Sequence, residues 1–268
     1  MLSLKLAQSL CSSGGAPAID LDFVFTVDTT IAGTSGVGFI TLPAAGTLNC
    51  DIDWGDGTST TGVTTTVTHD YTATTGAGTY TVRASGTSIS FNFNNAGDKL
   101  KMGIISNWGI YDLRGTSSFY GCSSMTCTAT DAATFTTTDL RNHFRTCALF
   151  NGAIGNWPVV IGAFGNPARM DRCFQSTTAF NQSIGDWDIS ACTNFNTAFY
   201  ATALTTDTPT STANLDAIYI GWESQSVQAS QTVDFGSAKY TGGGAAATAR
   251  AALVAAPNNW TISDGGIA

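Results

Sequence analysis

Charge is what this sequence has least of. Only 11% of its 268 residues are Asp, Glu, Lys or Arg, under half of the roughly 25% usual in soluble proteins. The net charge is −8, and the 11 basic residues never cluster. Neutralising phosphates takes a basic face, so the composition argues against binding nucleic acid or an anionic membrane. Histidine is nearly missing, with only His69 and His143. The 7 cysteines, at positions 11, 50, 122, 127, 147, 173 and 192, include no Cys-x-x-Cys pair, which argues against a zinc site. Their number is odd, so at least one has no internal partner. No segment reaches the ~18 apolar residues that span a bilayer, which argues against membrane insertion. A phosphate loop, a nucleophile–base triad and a redox motif are all lacking. The sequence is therefore read as that of a non-enzyme with no cofactor.

Thr, Ser, Ala and Gly take the place of charge, a composition suited to pleated surfaces. From about Asp20 to Asn95 the apolar residues alternate in short runs: Phe23, Phe25 and Val27; Val37 and Phe39; Leu48, Cys50, Ile52 and Trp54; Tyr80, Val82 and Ala84; Ile89, Phe91 and Phe93. Strands every ~10 residues, separated by Gly, Thr and Asp turns, predict a β-sandwich. Asp51 and Asp53 then share the outer face of one strand, with Asp56 in the next turn. Such carboxylates are candidates for Ca²⁺, but their spacing does not fit a 12-residue calcium loop. They are read as turn residues, and no metal site is assigned.

A second pattern begins near residue 98. Phe144, Phe150, Asn151, Ile154, Gly155 and Trp157 recur, at a constant offset of 30, as Phe174, Phe180, Asn181, Ile184, Gly185 and Trp187. Weaker copies start at Phe119 and Phe199, each 25 residues outside this pair, and Ile105-Ser-Asn-Trp108 is a lead-in step. Five extra residues in the stretch 158–172 account for the longer central offset. A fixed period in this range predicts stacked units, because one unit cannot bury its own apolar face. Trp108, Phe119, Phe144, Phe150, Trp157, Phe174, Phe180, Trp187 and Phe199 are the expected repeat core. Trp54, Tyr71 and Tyr80 are the expected sandwich core. Beyond about residue 205, two helices are predicted. One runs over 212–222 with Thr212 as its N-cap, and the other over 245–255, stopped by Pro257. Short strands are expected at 232–235 and 260–262.

The repeats resemble the BspA-like leucine-rich-repeat surface proteins, whose units carry MF-x-x-A-x-x-FN-x-x-IG-x-W over about 25 residues. The likeness covers about 99–268. It departs where the usual Met is replaced by His143 and Cys173. Asp53-Trp-Gly-Asp-Gly-Thr58, with His69-Asp-Tyr71 and Tyr80-Thr-Val82, resembles a PKD domain, an immunoglobulin-like sandwich of surface proteins. These resemblances imply a mainly β chain in three parts. Residues 1–19 are an anchor strand and linker, 20–97 a PKD-like sandwich, and 98–268 a leucine-rich-repeat-like solenoid with a C-terminal α/β cap from about 205.

Residues 1–10 alternate, with Leu2, Leu4 and Leu6 on one edge and Leu10 closing the run, before the Ser-Gly linker 12–17. Lys5, Gln8 and Ser9 interrupt the apolar core a secretory signal needs. Leu10 stands before Cys11 where a lipoprotein site requires a small residue. The segment is read either as a frayed end or as an anchor adding a strand to another protein's sheet edge. In the second reading it resembles the starts of phage tail and capsid accessory proteins. Asp186 and Asp188 flank Trp187 in the manner of a glycosidase pair, but the earlier copy has Asn156 and Pro158 there, which favours a turn. The expectation is a structural and adhesion protein on a phage virion surface, as capsid decoration, head fibre or tail-associated protein. It is expected in many copies or as a homo-oligomer, with residues 1–10 contacting neighbouring virion proteins or sister copies. A host-surface glycan or protein is its expected external ligand. The alternative is an adhesin on the bacterial cell surface.

Overall fold

Inward alternation of Leu48, Cys50, Ile52 and Trp54 puts four side chains under one sheet, and all are buried. The computed structural model describes residues 20–136, 139–159 and 169–268. It is rich in β-structure, with two helices among the described residues. Strands β1 (Phe23–Asp28), β3 (Asn49–Asp53), β4 (Ser59–Val63), β6 (Thr79–Ser88), β7 (Met102–Asn107) and β8 (Thr126–Cys127) form one sheet in the order β4-β3-β6-β1-β7-β8. Strands β2 (Phe39–Leu42) and β5 (Val67–Asp70) form a separate antiparallel pair, with Ile40 opposite His69. Phe23, Phe25 and Val27 of β1 and Val82 and Ala84 of β6 are fully buried.

Strand β7 lies past residue 97, yet it pairs antiparallel with β1 and parallel with β8. The sheet therefore runs unbroken from the first strands into the stacked units. Ile89, Phe91 and Phe93 are buried as the alternation predicts, but they form no strand. β6 ends at Ser88, Ile89 and Phe91 make only isolated bridges, and Phe93 begins the first stacked turn.

Each unit is a run of tight turns whose outward N–H groups donate to the carbonyls of the next unit. The Phe119 N–H donates to the His143 carbonyl (2.9 Å), Phe144 to Cys173 (3.0 Å) and Phe174 to Ala198 (2.9 Å). Two residues on, Gly121 donates to Arg145 (3.0 Å), Thr146 to Gln175 (2.8 Å) and Ser176 to Tyr200 (2.8 Å). The same pattern starts one unit earlier, with Phe93 donating to Ser118 and Asn95 to Tyr120. The tight turns need left-handed backbone. Gly121, Thr146, Ser176 and Ala201 hold one such position, with φ of 90°, 57°, 59° and 58°. Only the first is the glycine that makes this conformation free of strain.

Stacking the turns stacks their phenylalanines. Ring centroids follow from Phe93 to Phe119 (6.5 Å), Phe144 (6.0 Å), Phe174 (5.6 Å), Phe199 (6.1 Å) and Phe235 (5.3 Å). Phe150 and Phe180 pack against Phe144 and Phe174 at 4.4 and 4.0 Å. These rings are buried, and each contributes roughly 1.5–3 kcal/mol of burial free energy.

Helix α1 (Pro209–Glu223) closes the stack. Its N-cap is Thr208, whose hydroxyl accepts from the Ser211 N–H, so the helix starts before the expected Thr212. Pro209 at the first helical position loses no hydrogen bond, because that N–H is unpaired in any helix. Trp222 takes the place of a repeat tryptophan. Its Nε1 donates to the Ile184 carbonyl (3.2 Å), as Trp187 Nε1 does to Ile154 (2.9 Å). The helix comes this close because Gly221 and Gly185 face each other. A Cβ on Gly221 would lie 2.2 Å from the Gly185 oxygen. Strand β9 (Thr232–Asp234), helix α2 (Ala245–Val254) and strand β10 (Thr261–Ser263) complete the chain, with β9 and β10 parallel.

Candidate functional site

The carboxylates singled out in the sequence are engaged by the protein itself. Asp56 is fully shielded. One of its oxygens accepts from the Thr58 N–H (2.9 Å) and hydroxyl (2.6 Å). The other accepts from the Thr74 hydroxyl (2.6 Å) and lies 2.9 Å from His69 Nε2. Burial alone would raise its pKa, but these donors outweigh it and hold the carboxyl well below the usual carboxylate range. The His69 ring in turn lies flat on Trp54, at 4.5 Å and 2°. Tyr71 donates to the Trp54 carbonyl (3.0 Å) and stacks on half-buried Tyr80 at 3.9 Å. Trp54 and Tyr71 are fully buried. The Asp56 turn is thereby fastened to β5. Asp51 accepts from the Gly62 N–H and Asp53 from the Gly55 N–H. Among the described residues no group of three or more His, Cys, Asp or Glu side chains is placed to hold a metal ion.

Of the second carboxylate pair, Asp188 caps a turn by accepting from the Ser190 N–H (2.9 Å), and Asp186 is exposed beside it. Trp108, Trp157 and Trp187 are buried with the rest of the repeat core, away from solvent. Trp108 crosses Trp157 edge-on at 5.1 Å, and Trp157 stacks on Trp187 at 6.5 Å. Leu2, Leu4, Leu6 and Leu10 lie outside the described residues.

Six cysteines, Cys50, Cys122, Cys127, Cys147, Cys173 and Cys192, carry free thiols, and all but Cys127 are buried. Burial pushes the Cys50 and Cys127 thiols up to about 11 and Cys192 up to about 12. At neutral pH they are inert. Cys147 sits in the repeat slot that Thr177 fills thirty residues on, and the two do the same work. Cys147 Sγ donates to the Phe119 carbonyl (3.0 Å), and the Thr177 hydroxyl donates to the Phe144 carbonyl.

One buried charged pair escaped the sequence reading. Lys101 and Asp98 are both fully buried, 3.6 Å apart. Lys101 Nζ donates to the Ser35 hydroxyl and the Gly36 carbonyl, and Asp98 accepts from the Ser35 and Thr41 N–H groups. The pair pins the loop before β2 to the start of β7, through partners more than fifty residues away in sequence. His143 is likewise buried, with Nδ1 3.1 Å from the Ser118 hydroxyl and Nε2 3.2 Å from the Asp139 carbonyl.

Residues 111–234 match the family model described as "Mycoplasma protein of unknown function, DUF285". The matched segment, a little under half of the chain, holds the units from Phe119 to Phe199 and α1, and it supports the likeness to BspA-like surface proteins. No curated protein and no solved structure matches the chain.

Proposed function

We propose that the chain is a non-enzymatic structural and adhesion protein on the surface of a phage virion, present in many copies as capsid decoration, head fibre or tail-associated protein. In this reading residues 20–97 supply an immunoglobulin-like, PKD-like module that shares its sheet with β7 and β8, and residues 98–268 supply most of a short leucine-rich-repeat-like stack whose first turn begins at Phe93. Both are presented outward and held to neighbouring virion proteins or sister copies by residues 1–10. The observation that carries the virion reading is the set of six free cysteines. Proteins matured in oxidising compartments use such residues for disulfides, whereas a virion component assembles inside the reducing cell. The rigid aromatic ladder and the carboxylates spent on internal turns suit a spacer and display role.

The test is to purify virions and probe them for the protein. Its presence at a copy number set by capsid or tail symmetry supports the reading, and its absence from virions sinks it. Deleting residues 1–10 should leave the melting temperature unchanged and abolish incorporation. The family match over 111–234 favours one other reading, an adhesin on a bacterial cell surface. Fractionation that finds the protein on the cell envelope would establish it instead.

A further inference from the structure

The stack of turns ends in an unsatisfied edge. In the unit before it, four alternate N–H groups, those of Met170, Arg172, Phe174 and Ser176, donate to Asn194, Asn196, Ala198 and Tyr200, and the two units before that each make three such bonds. In the last unit the corresponding groups are the N–H of Phe195, Thr197, Phe199 and Ala201. None has a partner among the described residues. Phe235 covers the Phe199 ring. Beside it, between the last turn and β9, lies a groove of about 520 Å³ lined in part by Phe195, Asn196, Thr197, Tyr200, Gln231 and Asp234, within the size range of small-ligand sites.

Three further features of this groove are independent of its backbone. The Thr197 hydroxyl is buried with no hydrogen-bond partner. Such a group costs free energy until something bonds it. Tyr200 is 61% exposed, among the most exposed large side chains in the structure, and its ring has no aromatic neighbour among the described residues. Among the described residues Asp234 is the only charged one lining the groove. One of its oxygens accepts from the Gly236 N–H (2.8 Å), which leaves the other for a ligand donor.

We propose that this groove binds a neutral saccharide. Sugar oxygens accept from the open Phe195 and Thr197 N–H groups, and the free Asp234 oxygen and the amide of exposed Asn196 take sugar hydroxyls. The Tyr200 ring offers an apolar face with a polar tip to the C–H side of a pyranose. An anionic ligand is disfavoured, because it would meet Asp234 with no cation to offset it. The inference deepens the adhesion reading by assigning the class of its external ligand, and it rests on that reading only for its biological use.

Amide chemical shifts of the full chain are recorded with millimolar maltotriose, laminaritriose and triacetylchitotriose. The comparison probes are sialyllactose and a synthetic peptide of residues 1–10. The expected result is that at least one neutral trisaccharide shifts Phe195 and Thr197. Tyr200→Ala and Asn196→Ala, both at exposed positions, should each weaken that binding about tenfold with an unchanged melting temperature. The proposal is overturned if no neutral probe moves those amides, if only sialyllactose or the peptide does, or if Tyr200→Ala binds like the parent. Incorporation of Tyr200→Ala into virions is scored separately. Normal incorporation without sugar binding removes this site alone, and sugar binding by a protein absent from virions removes the virion reading alone.

Discussion

Stability should fall with acid well above the pH at which carboxylates titrate, and His143 is the reason. The imidazole is fully buried in the stack. Burial lowers its pKa from 6.5 to about 4, against smaller opposing effects of the Asp139 carbonyl and of the Asp139 and Asp112 charges. In the unfolded chain it titrates near its ordinary value. Between about pH 6.5 and 4 the unfolded state therefore binds one more proton than the native state, and stability declines as pH falls. At 1.36 kcal/mol per pKa unit, the loss from neutrality to pH 4 is roughly 3 kcal/mol. Asp56 and Asp98 are held below the ordinary carboxylate value by their hydrogen bonds, which outweigh burial. Their contribution is lost only further down, below about pH 4, so the window belongs mainly to the histidine. The measurement is equilibrium denaturation at several pH values for the parent and for His143→Met paired with Ser118→Ala, which leaves no hydroxyl unpaired. The parent should lose stability relative to the variant across that window, by an amount that saturates near pH 4. Parallel curves would refute the argument.

Phe150→Ala and Phe180→Ala should each cost about 3–5 kcal/mol, as large-to-small changes at closed sites do. Thermal melts of both at the parent's temperature would disprove the stacked-ring account. Ala201→Gly relieves a left-handed residue worth roughly 1–2 kcal/mol while adding about 0.4–1 kcal/mol of unfolded-state entropy. A net gain of roughly 0 to 1.6 kcal/mol is expected in chemical denaturation, and a loss would contradict the strain. Alkylation of the native protein followed by mass spectrometry should leave Cys50, Cys122, Cys147, Cys173 and Cys192 unmodified until denaturant is added.

The repeat was legible because stacking demands like over like. Residues that share a ladder must be similar, and similarity at offsets of 25 and 30 can be seen in one sequence. The unit at Phe93 was hidden because Phe91-Asn-Phe93-Asn alternates just as a strand does, and a turn spiral with outward residues at every second place has the same period. Phe235 was hidden for a different reason: the cap continues the ring column from a segment that carries no repeat. Helix α1 was expected over 212–222 with Thr212 as its cap, a residue that lies inside the helix. Its start was missed because Thr208-Pro209, the true cap and first residue, lies before the periodic stretch. The Lys101–Asp98 pair and the unsatisfied edge beside Tyr200 both depend on where distant segments come to rest, which no local pattern encodes. Asp56, His69 and Tyr71 stood out in the sequence as a motif around Trp54. Their work, holding His69 against Trp54, became visible only with β5 in place.

The sparse charges are spent on the edge of the stack, and their order carries a last prediction. Asp112 pairs with Arg114 (2.9 Å) and Asp139 with Arg141, each two residues on. The next unit reverses the order: Arg169 comes first and Asp171 second (2.8 Å). Asp139 and Arg169 are bridged directly between neighbouring units, so the reversal sets opposite charges in register, and the charged form of Arg141 is favoured mainly by its hydrogen bond to Asp139 and to a smaller extent by Asp171 across the step. Had the third unit kept the earlier order, acid would face acid and base would face base. The double change Arg169→Asp with Asp171→Arg preserves composition and net charge and restores that unfavourable order. Both arginines are about one-third exposed, so solvent weakens the effect to about 1 kcal/mol of destabilisation. Salt should erase much of it, since these charges lie within reach of screening ions. A swapped protein as stable as the parent at low salt, or a loss unchanged in high salt, would show that the order of the pairs is incidental to the stacking.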